Sequence, residues 1–288
     1  METGDSFRGV TGMEPFTQHA LAATAVLFIG LSKAGFGGGL GMLTTPLCVL
    51  AFSSPEQGRG PTFAIGALLP LLCAGDAFSM RHFWGRWQSH TLKQLLPGIL
   101  LGVVIGVHCL DRFSARQLNV IIGMLALLFV LFQLGKEHLF KHTAPSNPGG
   151  IAGLVYGLGA GVTSTFAHGA GPVINMFLIP QRLPKETYMG TTILVFTWIN
   201  WIKMPFFVWK GIITRESLMT GALYLALVPL GVRLGVWLNR RIPEKAFLRW
   251  VYGLTFAAGL QLITGFNPAK ALSSFVGQDH APVPRLNR

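Results

Sequence analysis

Long apolar stretches follow one another along the chain from residue 20 to residue 265. A helix that crosses a bilayer needs about 20 consecutive, mostly apolar residues. Nine stretches meet or approach this length, namely 20–33, 40–53, 62–80, 92–110, 118–134, 151–180, 187–209, 217–239 and 246–265. They predict an all-α polytopic membrane protein, with lipid covering most of its outer surface.

Composition supports the same class. Only 12% of the residues are charged, 51% are hydrophobic and the mean hydropathy is +0.51. A soluble domain carries about 25% charged residues, so this chain has too few to cover a surface that faces water. The 23 Lys and Arg exceed the 11 Asp and Glu and cluster in the connections 81–93, 136–141 and 240–249. That placement suits lipid headgroups rather than nucleic acid, and a positive field also favours an anionic cargo.

An internal repeat divides the chain. The segment Leu101–Val107 (LGVVIGV) recurs as Leu230–Val236 (LGVRLGV) at an offset of 129 residues, and the glycines in both fit close helix packing. The glycine cluster 35–41 aligns with 169–171 at an offset of 130 residues. We therefore expect two homologous repeats of about four hydrophobic segments. The predicted organisation is an N-terminal tail at 1–17, repeat 1 at 18–134, a linker at 135–150, repeat 2 at 151–266 and a C-terminal tail at 267–288.

The first segment of each repeat is too long and too rich in glycine to be one helix. Residues 20–53 would form a helix of about 50 Å, against about 30 Å of hydrocarbon. Glycines interrupt it at 35–41, and glycine and proline interrupt the matching stretch 163–172. We expect a broken helix in each repeat, since paired interruptions of this kind mark the binding site in many transporters. Helix N-termini at the breaks would suit an anion. The alternative is that these glycines serve packing alone.

Ionisable side chains within apolar stretches are costly, and each is a candidate for function. Lys33 and His168 adjoin the two breaks and are the strongest candidates for pairing with an anion. Lys203 is a third basic group, and Asp76 is the one acidic residue deep in an apolar stretch. Asp76 could carry a proton, or it could form an internal ion pair that holds two helices in register.

A family resemblance rests on these same segments. The first repeat contains Ser32-Lys-Ala-Gly-Phe-Gly-Gly-Gly-Leu-Gly41 and, further along, Asp76; the second contains Ser164-Thr-Phe-Ala-His-Gly-Ala-Gly-Pro172 and Asn200-Trp-Ile-Lys-Met-Pro205. Together they resemble the TauE/SafE sulfite exporter family over residues 20–265. One departure is the run after His168, where the family pattern would be His-x-Gly-Gly-Pro-Pro.

The resemblance implies a secondary transporter that works without ATP and exports sulfite, or a related small sulfur oxyanion or organosulfonate, across the inner (plasma) membrane. Our mechanistic hypothesis is alternating access around a site between the two breaks, and we expect no cofactor and no enzymatic activity. Proton coupling through Asp76 or His168 is one option. The substrate-binding residues that the resemblance implies are Lys33, Gly37, Gly38, Gly39, Ser164, Thr165, His168, Asn200 and Lys203.

Alternatives remain open at this point. An anion channel would use the same basic lining, and a membrane-embedded enzyme would need a catalytic constellation or a set of metal ligands, which the sequence does not contain. A homodimer is compatible with the pattern. If each long first segment crosses the membrane twice, the repeats are inverted; if each crosses once, they are parallel. Segment length favours the inverted arrangement.

Overall fold

The computed structural model describes residues 15–33, 41–52, 59–141, 145–241 and 244–265. Within these ranges it contains eleven α-helices. They are α1 (Pro15–Lys33), α2 (Gly41–Phe52), α3 (Pro61–His82), α4 (Ser89–Leu110), α5 (Ala115–Phe140), α6 (Gly150–Ala167), α7 (Gly171–Leu178), α8 (Lys185–Trp209), α9 (Arg215–Tyr224), α10 (Leu227–Arg241) and α11 (Glu244–Thr264). A short 3₁₀ turn, Ile179–Gln181, follows α7.

Six helical spans among the described residues are long and apolar enough to cross a membrane. They are Pro61–Arg81, Ser89–Leu110, Ala115–Lys136, Gly150–Ala167, Lys185–Trp209 and Arg215–Leu238, with shorter apolar helices at Phe16–Ser32 and Met42–Phe52. Large apolar side chains such as Ile151, Leu131 and Trp201 are exposed on the outside of the bundle. Such an exterior suits lipid, and the predicted all-α polytopic class is confirmed.

The break predicted in the second half is present. Helix α6 ends at Ala167, and His168 adopts a left-handed conformation with φ of 50°. Helix α7 then begins at Gly171 with Pro172 in its first turn, where proline costs no hydrogen bond. In the first half, α1 ends at Lys33 and α2 begins at Gly41, and the predicted glycine cluster between them lies outside the described residues.

Helices that occupy the same place in the two halves run antiparallel. Arg86, after the end of α3, donates to Glu186 at the start of α8 at 2.8 Å, while Arg59, before the start of α3, pairs with Glu216 after the end of α8. Arg116 at the start of α5 likewise donates to the Leu262 carbonyl near the end of α11 at 3.0 Å. This arrangement agrees with the inverted alternative.

The repeated LGVxxGV segments pack in the same way in both halves. A Cβ added to Gly102 would lie 2.2 Å from the Leu158 carbonyl oxygen of α6, and one added to Gly231 would lie 2.5 Å from the Leu27 carbonyl oxygen of α1. Each segment therefore touches the backbone of the first helix of the other half. The predicted role of these glycines in close packing is confirmed.

Some helices differ from the apolar stretches that predicted them. Helix α5 continues to Phe140, into the predicted linker 135–150, because the polar residues after Gly135 still favour a helix once it has left the apolar region. The stretch 217–239 forms two helices, α9 and α10, joined by a turn at residues 225–226. The repeat and tail boundaries themselves stay predictions.

Candidate functional site

A cavity lies where the two broken segments meet α8. Its volume is about 70 Å³, several times the roughly 10–15 Å³ that one water molecule needs. The polar side chains that line it are Ser32, Ser164, His168, Tyr188, Thr192 and Asn200. The apolar side chains around them include Met42, Leu72, Met189 and Phe196. The cavity thus combines hydrogen-bonding groups with an apolar wall, as small-molecule sites do.

The two breaks touch each other beside this cavity. Thr45 on α2 donates to the carbonyl oxygen of Ala167, the last residue of α6, at 2.7 Å. A Cβ added to Gly169 would lie 2.6 Å from the sulfur of Met42. The last carbonyls of a helix have no partner within it, and in a membrane they must find one. A side chain from the first half supplies one such partner for the second half.

Lys203 supplies a further hydrogen-bond donor at the end of α6. Its side chain is fully buried. Its ammonium nitrogen donates to the Ser164 carbonyl oxygen at 3.1 Å, to the Ser164 hydroxyl at 2.9 Å and to His168 Nδ1 at 2.8 Å. Three acceptors therefore meet the three hydrogens of the ammonium group. The cation lies at the C-terminal end of α6, where the helix dipole is negative and favours a positive charge.

The contacts of His168 determine its tautomer. Nε2 lies 3.1 Å from the Ile65 carbonyl oxygen, which can only accept, so Nε2 carries the hydrogen. Nδ1 then accepts from Lys203. The imidazole is consequently neutral, and both of its nitrogens are engaged. The left-handed backbone at this residue turns the chain out of α6 and brings the ring between α3 and α8.

Asp76 lies on α3 and contacts the same face of α8, beside the Lys203–His168 contact. Its carboxylate is fully buried and accepts from Asn200 Nδ2 at 2.7 Å. Asn200 and Lys203 are three residues apart and share one face of α8. Asp76 also acts electrostatically on the Lys203 ammonium. A buried cation and a buried anion on neighbouring helices thus stand directly behind the cavity.

The structure brings together five of the residues predicted for the site. Ser164, His168 and Asn200 line the cavity, and Lys203 and Asp76 contact them. These are the predicted site residues whose side chains the structure describes and places here.

Other predicted residues are not placed at the cavity. Thr165 lies elsewhere: its hydroxyl donates to the Gly161 carbonyl at 2.8 Å, and its side chain packs against Gly106 of α4. The Lys33 side chain and Gly37–Gly39 lie outside the described residues.

Four polar residues near the site were missed by the sequence analysis. Tyr188, Thr192 and Asn200 recur at multiples of four on α8, so the helical period could have identified the first two as neighbours of Asn200. Ser32 precedes Lys33, so its position next to the predicted break could have identified it as a residue of the site. Nothing in the local sequence around Thr45 indicates its contact with α6.

Comparison with known proteins adds the family. No curated protein and no solved structure matches the chain. A family model, that of the sulfite exporter TauE/SafE, matches residues 22–262 and so spans the described helices from α1 to α11, including both broken segments. With that match over most of its length, the chain belongs to the TauE/SafE sulfite exporter family of membrane transporters.

Proposed function

We propose that this protein is a secondary transporter that exports sulfite, or a related small sulfur oxyanion or organosulfonate, across the inner membrane by alternating access. The observation that carries the proposal is the cavity at the meeting point of the two breaks, in a chain of a transporter family. The hypothesis places the anion between Ser164 and Asn200, in front of Lys203.

A buried cation and a helix N-terminus at the cavity support an anionic substrate. The buried Lys203 ammonium lies directly behind Ser164. The N-terminal turn of α7, which begins at the lining residue Gly171, has no side-chain cap, so the positive end of that helix faces the cavity. Lys33, at the end of α1 next to the lining residue Ser32, is proposed as a second cation for the substrate.

Antiparallel halves support alternating access. In an inverted repeat, a movement that opens one side of the site has a symmetric counterpart that opens the other. The ion pairs Arg86–Glu186 and Arg59–Glu216 join the two halves at opposite ends of the α3–α8 pair. Both are exposed, and pairs of this kind contribute about 0–1 kcal/mol each, so they can break and form during a transport cycle.

Proton coupling is assigned to Asp76 in this proposal. The Asp76 carboxylate offsets part of the positive charge of Lys203. Its protonation would remove that negative charge and make the site more positive for an incoming anion. His168 is the weaker candidate, because both ring nitrogens already have partners. The alternative, an anion channel, needs no such coupling.

Flux measurements in proteoliposomes test the proposal. We expect sulfite flux that saturates with concentration and accelerates when a proton gradient is imposed. Asp76→Asn should abolish the acceleration by the gradient while sulfite exchange without a gradient continues. Asp111→Asn, which alters an exposed acid paired with Lys210, is the matched control and should behave as wild type. Flux that rises linearly with sulfite and ignores the gradient would favour the channel, and no sulfite flux at all would refute the proposed substrate.

A further inference from the structure

Most hydroxyl groups at the cavity have already used their hydrogen. Ser32 donates to the Ile29 carbonyl at 2.7 Å, and Thr192 donates to the Tyr188 carbonyl at 2.8 Å. Tyr188 donates its own hydroxyl hydrogen to Asn175 Oδ1 at 2.6 Å. A carbonyl oxygen can only accept, so the direction of each bond is fixed. These three side chains can still accept a hydrogen bond, but an anion needs donors.

Ser164 differs from these residues in the direction of its bond. Its Oγ accepts from the Lys203 ammonium at 2.9 Å, and an ammonium can only donate. The hydroxyl hydrogen of Ser164 is therefore left for another acceptor, and Ser164 lines the cavity. Asn200 is similar: one of its two amide hydrogens binds Asp76, and the other remains while the residue lines the cavity.

The charged and ionisable neighbours, by contrast, already donate their hydrogens to protein acceptors. Lys203 directs its three hydrogens to Ser164 and His168, and His168 directs its single ring hydrogen to the Ile65 carbonyl. For either side chain to bind a substrate directly, a buried contact at the end of α6 would have to break. Such a loss exposes an unsatisfied buried group.

We infer that Ser164 and Asn200 are the side chains that donate hydrogen bonds to the transported oxyanion, and that Lys203 and His168 are positioning residues that act through them. Lys203 orients the Ser164 hydroxyl and, by donating to its oxygen, polarises it into a stronger donor. His168 fixes the end of α6 against α3 and so holds Ser164 at the cavity. This inference rests on the proposed function and assigns the contacts within the same site.

Two adjacent hydroxyl residues of α6 provide the test, since Ser164 lines the cavity and Thr165 packs against α4 instead. Sulfite flux is measured in proteoliposomes for wild type, Ser164→Ala and Thr165→Ala, with KM and maximal rate separated. A hydrogen bond to a charged group is worth enough that Ser164→Ala should raise the KM for sulfite by about ten- to a hundredfold. Thr165→Ala removes a hydroxyl that donates to the Gly161 carbonyl within α6, so its KM should stay within about threefold of wild type.

A second substitution at the same position distinguishes loss of the hydroxyl from misfolding. Ser164→Thr keeps the hydroxyl and should retain a KM within about threefold of wild type, whereas Ser164→Ala should not. Both variants should elute as folded protein in size-exclusion chromatography. Equal KM values for Ser164→Ala and Thr165→Ala, with wild-type flux intact, would overturn the inference and leave the proposed function standing. Absence of sulfite flux in wild type would instead refute the proposed function.

Discussion

Replacement of Lys203 by methionine should destabilise the fold strongly. The variant keeps the length of the side chain and removes the ammonium. The hydroxyl oxygen of Ser164 and Nδ1 of His168 then lose their donor in a buried site, and the Ser164 carbonyl keeps only the His168 N–H. The buried Asp76 carboxylate also loses a cation that acts on it.

The magnitude follows from burial. A buried acceptor that loses its donor costs about 1–3 kcal/mol, and Lys203 is the donor to more than one of them. Lys203 is fully buried, so solvent screens little of this loss. We expect Lys203→Met to lower the free energy of unfolding by about 3–5 kcal/mol and the apparent melting temperature in detergent by on the order of 10 °C.

Three further variants isolate the cause: Lys210→Met, Asp76→Asn, and the double variant of Lys203→Met with Asp76→Asn. Lys210→Met, close by on the same helix end, removes an exposed pair with Asp111 and should cost at most about 1 kcal/mol. Lys203→Met combined with Asp76→Asn removes both buried charges and should recover about 1–2 kcal/mol relative to the sum of the single variants. Tryptophan fluorescence during thermal unfolding in detergent gives all four stabilities. Effects that add within about 0.5 kcal/mol would show that Asp76 and Lys203 are not coupled, and the reasoning about their electrostatic interaction would be wrong.

Three other predictions concern packing, the break and topology. Gly102→Ala should destabilise the protein by about 1–3 kcal/mol in the same unfolding assay because the new methyl group meets the α6 backbone, whereas Gly253→Ala, with open space around it, should be neutral or stabilising by up to about 1 kcal/mol. Thr45→Val should cost about 1–3 kcal/mol and reduce sulfite flux by leaving a helix-end carbonyl unpaired, and Thr45→Ser should restore both. Single cysteines at Gly60 and Lys185, in a cysteine-free background, should react with an impermeant thiol reagent from opposite sides of the membrane; reaction from one side would contradict the antiparallel arrangement of α3 and α8.

Much of the architecture follows from local sequence alone, because a bilayer imposes simple demands. Length and apolarity determine where helices can span, and glycine and proline determine where they break, so the interruption after Ala167 was predictable from residues 163–172. The LGVxxGV segments were recognisable as packing surfaces for the same reason, since small residues are what let helix backbones approach.

The direction of each side chain required the tertiary structure. Ser164 and Thr165 are adjacent residues with hydroxyl groups, and nothing in the sequence favours one over the other as a substrate ligand. Successive residues on a helix, however, point about 100° apart. One therefore faces the cavity and the other packs against Gly106 of α4.

Residue types likewise identified Lys203, His168 and Asp76 as unusual in an apolar stretch, but they did not reveal what each contacts. That depended on how α3 and α8 lie against the end of α6, which brings residues far apart in the chain together. The sequence by itself determined the class of the protein, its spans and its interruptions, because these depend on neighbours along the chain. Only the tertiary structure decided which donors face the cavity, because the direction of a hydrogen bond depends on the partner that packing supplies.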